Sequence, residues 1–160
     1  MANSIPNVDT IIRKSIVCRN TNTGSDINTS TATELPITGV VDPGYDTEVF
    51  GVTGNRVVCK IAGKIRIECH VYHRSPQYNN IHVMLFVAVN GNLRSINGGG
   101  GYISRREDHL RSMATVIDEF SVAADDEVSI YTQREAGFGL TRMEIAQGSI
   151  LTVEYPDGVG

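Results

Sequence analysis

Three histidines, His70, His73 and His82, are the residues of this chain whose types and spacing come nearest to a metal site. Zinc needs three or four Cys, His or carboxylate ligands converging on one point. If residues 64–74 and 81–89 are adjacent strands, His70 and His82 share a side, but strand alternation puts His73 on the face opposite His70. A histidine pair without a third ligand reads as polar surface or interface, so no metal is assigned. Ser and Cys side chains are present, yet nothing places a nucleophile beside a base and no nucleophile-elbow motif occurs. The carboxylates at Asp125, Asp126 and Glu127, and those between Asp42 and Glu48, lack the alternating-oxygen loop of a helix-loop-helix calcium site. Turn formation accounts for Asp125 and Asp126, because Asp side chains bond the local backbone and begin strands. A glycoside hydrolase would want two carboxylates facing across a groove with aromatic platforms, and the chain has no Trp. The expectation is a non-enzyme with neither catalytic residues nor a cofactor.

Other chemistry-bearing groups reduce in the same way. Cys18, Cys59 and Cys69 are odd in number and show no C-x-x-C spacing, so they form neither a disulfide framework nor a zinc signature. Cys69 takes an inward slot in the series Ile65, Ile67, Cys69, Val71, where a thiol behaves as a small hydrophobe. The run from Asn97 through Gly98, Gly99, Gly100 and Gly101 is a flexible or closely packed loop. It is no phosphate cradle, which needs a following Lys-Ser/Thr and a helix. Arg105 and Arg106, with Arg111 nearby, are interrupted by Glu107 and Asp108, which favours a solvated loop over an anion site. A net charge of −4 disfavours a phosphate backbone as partner, so no nucleic acid is expected. The Met-Ala-Asn-Ser start carries no basic and apolar leader, and no window approaches the roughly 20 apolar residues of a membrane span. The expectation is a protein made and used without secretion or membrane insertion.

The elements that position these residues are strands. Residues 63–89 contain two strictly alternating runs, Ile65/Ile67/Cys69/Val71 and Ile81/Val83/Leu85/Val87/Val89, the period of half-buried β-structure. No apolar pattern at helical spacing accompanies them. Candidate strands are 48–52, 56–62, 64–74, 81–89, 101–105, 113–122, 127–133 and 149–155. Asn90-Gly91 supplies the positive φ of a tight hairpin turn, and 16 Gly suit the turns between many short strands. Eight or nine strands point to an all-β jelly roll or other sandwich, one core being the default for 160 residues. Composition divides the chain near Pro43-Gly44 into an N-terminal arm, 1–45, and a jelly-roll domain, 46–160. The stretch 19–34 is Asn, Thr, Ser, Asp and Gly with Ile27 its only sizeable apolar residue, too little to repay its own ordering. Ahead of it, the pairs Ile11/Ile12 and Ile16/Val17 surround Arg13-Lys14. The reading is an arm that orders against a partner subunit, with a frayed tail as the alternative.

The order Phe50-Gly51-Val52, then Gly63-Lys64-Ile65-Arg66-Ile67, then Val89-Asn90-Gly91 resembles the tumour-necrosis-factor superfamily and its relative, the globular head of the first complement component. Ala124-Asp125-Asp126-Glu127-Val128 resembles that fold's Gly-Asp-x-Val element, and Gly148-Ser149-Ile150-Leu151-Thr152-Val153 its last strand. The resemblance covers residues 50–155. Ile65 and Ile67 stand where the complement-head family carries aromatics, Asp125 stands for the family's Gly, and no collagen repeat or heptad stalk precedes the domain. This divergence resembles that of bacteriophage structural proteins, which reuse the fold on capsids, head fibres and tail tips.

The resemblance implies a homotrimer with one sheet of each jelly roll toward a threefold axis. The strand 81–89 supports it independently, because Met84, Phe86 and Ala88 make its second face apolar too, and a covered second face implies a neighbour. Those three are the expected trimer interface. The function expected is capsid decoration. The trimer would cement the shell from the virion surface after synthesis in the host cytoplasm, with the arm residues Ile11, Ile12, Arg13, Lys14, Ile16 and Val17 gripping the major capsid protein. The second reading is a receptor-binding tip, with Tyr78, Asn97 and Tyr102 in a loop that engages a host-surface glycan or protein.

Overall fold

The computed structural model describes residues 14–21, 23–76, 80–103, 111–139 and 141–159, and of residues 95–99 and 103 the backbone only. Within them the chain forms strands β1 (Lys14–Arg19), β2 (Thr33–Glu34), β3 (Val40–Val41), β4 (Phe50–Thr53), β5 (Arg56–Cys59) and β6 (Gly63–Arg74). There follow β7 (Ile81–Val89), β8 (Asn92–Ile103), β9 (Arg111–Val122), β10 (Asp126–Arg134), β11 (Glu144–Ile145) and β12 (Ile150–Tyr155). Two antiparallel six-stranded sheets result. In the first, β6 pairs with β9 along one edge and with β12 and β11 along the other, and β12 continues to β1 and β3. The second runs β4-β5-β10-β7-β8, with β2 added beside β10. The all-β jelly-roll sandwich expected from the alternation is the fold observed.

The alternation sets the core directly. Ile65, Ile67, Cys69 and Val71 of β6 lie beside Val116 and Phe120 of β9, Leu151 and Val153 of β12, and Ile16 and Cys18 of β1. They face Val57, Cys59, Val83, Leu85, Val87, Val128 and Ile130 from the second sheet. Burial pushes the Cys18 thiol up to about 11 and the Cys59 thiol up to about 12, and raises that of Cys69 further. All three are free and buried, too weakly ionised to act as nucleophiles at neutral pH. At the β7–β8 hairpin, Asn90 and Gly91 take φ of 51° and 77°, as their dipeptide predicts. Asp125 takes the same left-handed region with φ of 68°, which Asp tolerates better than most residues.

The arm departs most from expectation. Lys14–Arg19 is an internal strand of the first sheet, paired with β12 on one side and β3 on the other. Ile16 is 1% exposed, Lys14 pairs with Asp46 at 2.5 Å and Arg19 with Asp42 at 2.7 Å. The polar stretch that follows is stitched across the sandwich. Ile27 donates its N–H to the Met143 carbonyl, and Asn28 donates from Nδ2 to the carbonyls of Gly139 and Thr141. Leu35 donates to the Ile130 carbonyl, and Ile27, Leu35 and Ile37 are buried. Composition misjudged this stretch because its ordering is offset by a core belonging to the rest of the chain. The boundary at residue 45 is therefore no boundary of the fold, and of the six residues expected to grip a capsid, Ile11, Ile12 and Arg13 lie outside the described ones.

The glycine run is strand rather than loop, and its second half is a close approach of two histidines. A Cβ on Gly101 would lie 1.9 Å from His73 Nε2, and one on Gly100 would lie 1.9 Å from His82 Nε2. His73 projects inward, 1% exposed, with neither ring nitrogen hydrogen-bonded. Desolvation, with a lesser contribution from His82, lowers its pKa to about 4. Farther along the same strands, the edges of the two sheets are tied by Arg94 of β8, whose Nε donates to Asp118 at 2.7 Å while its guanidinium lies 3.8 Å from the Phe120 ring centre. The Asp118 side chain is only 4% exposed. The inward carboxylate of the Asp118-Glu119 pair thus has an Arg as its partner, from its own chain.

Two measurements check these packing arguments. Gly101→Ala is expected to cost about 1–3 kcal/mol by overpacking, and combining it with His73→Ala should recover part of that loss in a denaturant double-mutant cycle. His73 binds its proton more weakly when folded, so its stabilising contribution is present above about pH 6.5 and is lost as pH falls toward 4. Wild type should lose about 3 kcal/mol over that interval through this group, and His73→Leu should show a correspondingly shallower pH dependence of unfolding free energy. An equal slope in both proteins would contradict the assignment.

Candidate interaction face

The outward positions of β6 are Lys64, Arg66, Glu68, His70, Tyr72 and Arg74, and those of β9 are Arg111, Met113, Thr115, Ile117, Glu119 and Ser121. The unbroken register brings Tyr72 opposite Met113, His70 opposite Thr115 and Glu68 opposite Ile117. Tyr72, Met113 and Ile117 are 43%, 45% and 50% exposed, so three large apolar side chains share one outer face.

The polar groups between them are largely committed to one another. Lys64 pairs with Glu119 at 2.8 Å and Arg66 with Glu68 at 3.3 Å. His70 bridges Glu68 through Nε2 at 2.7 Å and the Thr115 hydroxyl through Nδ1 at 3.0 Å. The Lys64 ammonium holds the Glu119 carboxyl below the usual carboxylate range, and Glu119 in turn raises Lys64. Such exposed pairs contribute little to stability. Their effect is to leave a face with an apolar stripe and few unmatched charges, a surface suited to burial against another protein.

The residues singled out from sequence are distributed differently. Met84 and Phe86 are half-buried on the outer face of the second sheet, and Ala88 is 0% exposed. Ala88 therefore cannot touch a neighbour; β8 and β10 on either side already enclose it. Val17 is half-buried on the outer side of β1, while Ile16 belongs to the core. Tyr102 is 49% exposed, sits edge-on to His82 and Phe138 at 6.4 and 6.1 Å, and donates its hydroxyl to Asn80 Oδ1 at 3.1 Å. Tyr78 lies outside the described residues; Asn97 lies in β8, opposite Phe86, with its side chain undescribed. Tyr72, Met113 and Ile117 were not singled out, although Met113 and Ile117 carry the same two-faced apolar signal that marked β7.

No catalytic or metal geometry assembles around these groups. His70 and His82 belong to different sheets, because the chain crosses the sandwich between β6 and β7; His82 instead bonds Glu135 through Nδ1. Among the described residues no cluster of three or more His, Cys, Asp or Glu could hold a metal ion. Asp126 accepts from the Ala123 N–H and from Asn90 Nδ2 at 2.8 Å each, which makes it a turn residue. Asp46 accepts from Lys14 and from the Glu48 N–H, interactions that hold its carboxyl below the usual range. Among the described residues no helix is long and apolar enough to cross a membrane.

No protein-family model and no curated protein matches the chain. Solved structures do match. The Eiger TNF of S. frugiperda superposes with a TM-score of 0.57 at 11% identity, over 92% of this chain and 95% of that one. Murine APRIL at pH 5.0 gives 0.56 at 11% identity, and at pH 8.0 gives 0.57 at 12%, both over 89% of this chain and 98% of the other. The likeness is one of fold and spans nearly the whole of both chains: this protein is a jelly roll of the tumour-necrosis-factor type.

Proposed function

We propose that the protein is a non-enzymatic structural protein of a virion, a homotrimer that decorates the capsid shell by binding the major capsid protein. The observation that carries this reading is the outer face of the first sheet. Tyr72, Met113 and Ile117 expose apolar surface between charges that neutralise one another, and among the described residues no cluster could hold a metal ion. Exposed apolar patches of this kind mark association surfaces. A trimer built through this face, rather than through Met84, Phe86 and Ala88, buries it. Multivalent attachment then stabilises the shell, because several weak contacts on one rigid body act at high effective concentration, and binding to the assembled state alone stabilises that state.

The resemblance to phage structural proteins supports the virion setting. The receptor-tip reading keeps one specific observation, the exposed Tyr102 with its aromatic neighbours His82 and Phe138. Particle labelling separates the two. Antibody to this chain should decorate the shell regularly in electron micrographs of source lysates; label confined to a tail tip would favour receptor binding, and unlabelled particles would defeat the virion reading.

Two further outcomes test the assembly. Light scattering should give three times the 17.4 kDa chain mass, and Ile117→Arg should shift it to monomer, since a charge at the centre of such an interface costs about 2 kcal/mol or more. Deletion must stop before Lys14, because β1 belongs to the core. A chain beginning at residue 13 is expected to remain trimeric and to lose shell binding.

A further inference from the structure

The end of β8 is held differently from the rest of the second sheet. Gly100, Gly101, Tyr102 and Ile103 pair with Met84, Val83, His82 and Ile81 in four consecutive rungs, and register shifts on either side of Phe86 separate this short ladder from the remainder of β8. Among the described residues β7 is the only ladder partner of β8, which makes it an edge strand. The glycines at 98–101 gain more backbone freedom on release than any other residue type would. Opening such a segment locally costs less than unfolding the whole.

Two imidazoles hold this ladder, one from each side. His73 reaches across the sandwich from β6 and fills the space that a side chain at Gly101 would need, and His82 does the same beside Gly100 on the outer side. His73 is enclosed with neither ring nitrogen hydrogen-bonded, so closure of β8 keeps a titratable ring from water. Nothing described around that ring matches a cation. On β6 itself Tyr72 and Arg74 point to the other side of the sheet, as do Arg111 of β9 and Glu144 of β11, which lie opposite Arg74. In register with His73 stand Ser112 of β9 and Ile145 of β11. From the second sheet, His82 opposes its charge, and Arg134 of β10, in register with Val83, adds a further cation on that side. Glu135 is engaged by His82.

We infer that the end of β8 is an acid-released clasp, in which a proton on His73 is accommodated by lifting residues 100–103 off β7. Release lets water reach the ring, and it takes Tyr102 away from His82, Phe138 and Asn80. The exposed aromatic cluster around Tyr102 therefore exists at neutral pH and disperses in acid while the core stays folded. Burial holds the enclosed ring at about 4 against an ordinary 6.5. Protonation thus favours the open form as pH falls through that window, and above it the closed form is undisturbed. The open population should rise about fiftyfold between pH 7 and pH 4.5. Release of β8 needs neither the trimer nor the virion setting, and it leaves the outer face of β6 and β9 as it is.

The test is native-state hydrogen exchange of the full chain at pH 7 and pH 4.5, over sub-denaturing urea and corrected for intrinsic rates. Amides of residues 81–84 and 100–103 should lose about fiftyfold in protection at the lower pH, with weak dependence on urea. Those of β1 and β12 should stay better protected and keep the steep urea dependence of global unfolding. His73→Leu should remove the loss at the β8 end. His73→Gln, uncharged at both pH values, should do the same, and covers the case in which leucine packs badly. His82→Gln should leave most of the loss in place, because His82 is the lesser influence on His73. In the unaltered chain the imidazole signals of His73 should titrate together with the change in exchange. Unchanged protection, a loss shared equally by β1 and β12 with the urea dependence of global unfolding, a loss that survives both His73 substitutions, or one abolished by His82→Gln would overturn the inference.

Discussion

The pairing of β6 with β9 is the constraint from which the rest of the molecule follows. Twelve consecutive residue pairs, Gly63↔Val122 through Arg74↔Arg111, run without a bulge, so the inward or outward assignment of each strand fixes that of the other. A slip of one residue would turn Ile65, Ile67, Cys69 and Val71 to the outside and bring Arg66, Glu68 and His70 into the core. With that register set, the opposite edge of β6 takes β12, β12 takes β1, and the second sheet closes over the buried series. The exposed face of Tyr72, Met113 and Ile117 is the other side of the same register.

Two departures from an apolar core are built around β8. Asp118 is inward because the register requires it, and Arg94 reaches it from β8, so that a buried carboxylate is matched across the junction of the two sheets. His73 is inward for the same reason but has no partner for either nitrogen. Gly101 makes the room, and the ring stays neutral at physiological pH because burial disfavours its cation. The glycine run is thus a packing device, since side chains at residues 100 and 101 would collide with the two histidines.

The likeness to Eiger and APRIL concerns this scaffold. Jelly rolls of one topology carry unrelated activities, and at 11–12% identity the outer faces are this chain's own. Function has to be argued from what those faces carry, above all the apolar stripe of Tyr72, Met113 and Ile117 between matched charges.

The sequence by itself determined the phase of the long strands, hence the inward sets of β6, β7 and β9, the hairpin at Asn90-Gly91 and the inert, buried cysteines. These follow from side-chain alternation and local φ preferences, which act between neighbours in the chain. Tertiary structure alone decided that Lys14–Arg19 is a core strand, that Ile27, Asn28 and Leu35 are stitched to Met143, Gly139, Thr141 and Ile130, and that Met113, Ile117 and Tyr72 meet on one open face. It also decided that Ala88 is enclosed and that His70 and His82 lie in different sheets. Each of these depends on which strand edges meet and on whose core offsets a segment's ordering entropy. Such pairings are nonlocal, and a period of two carries parity but no partner.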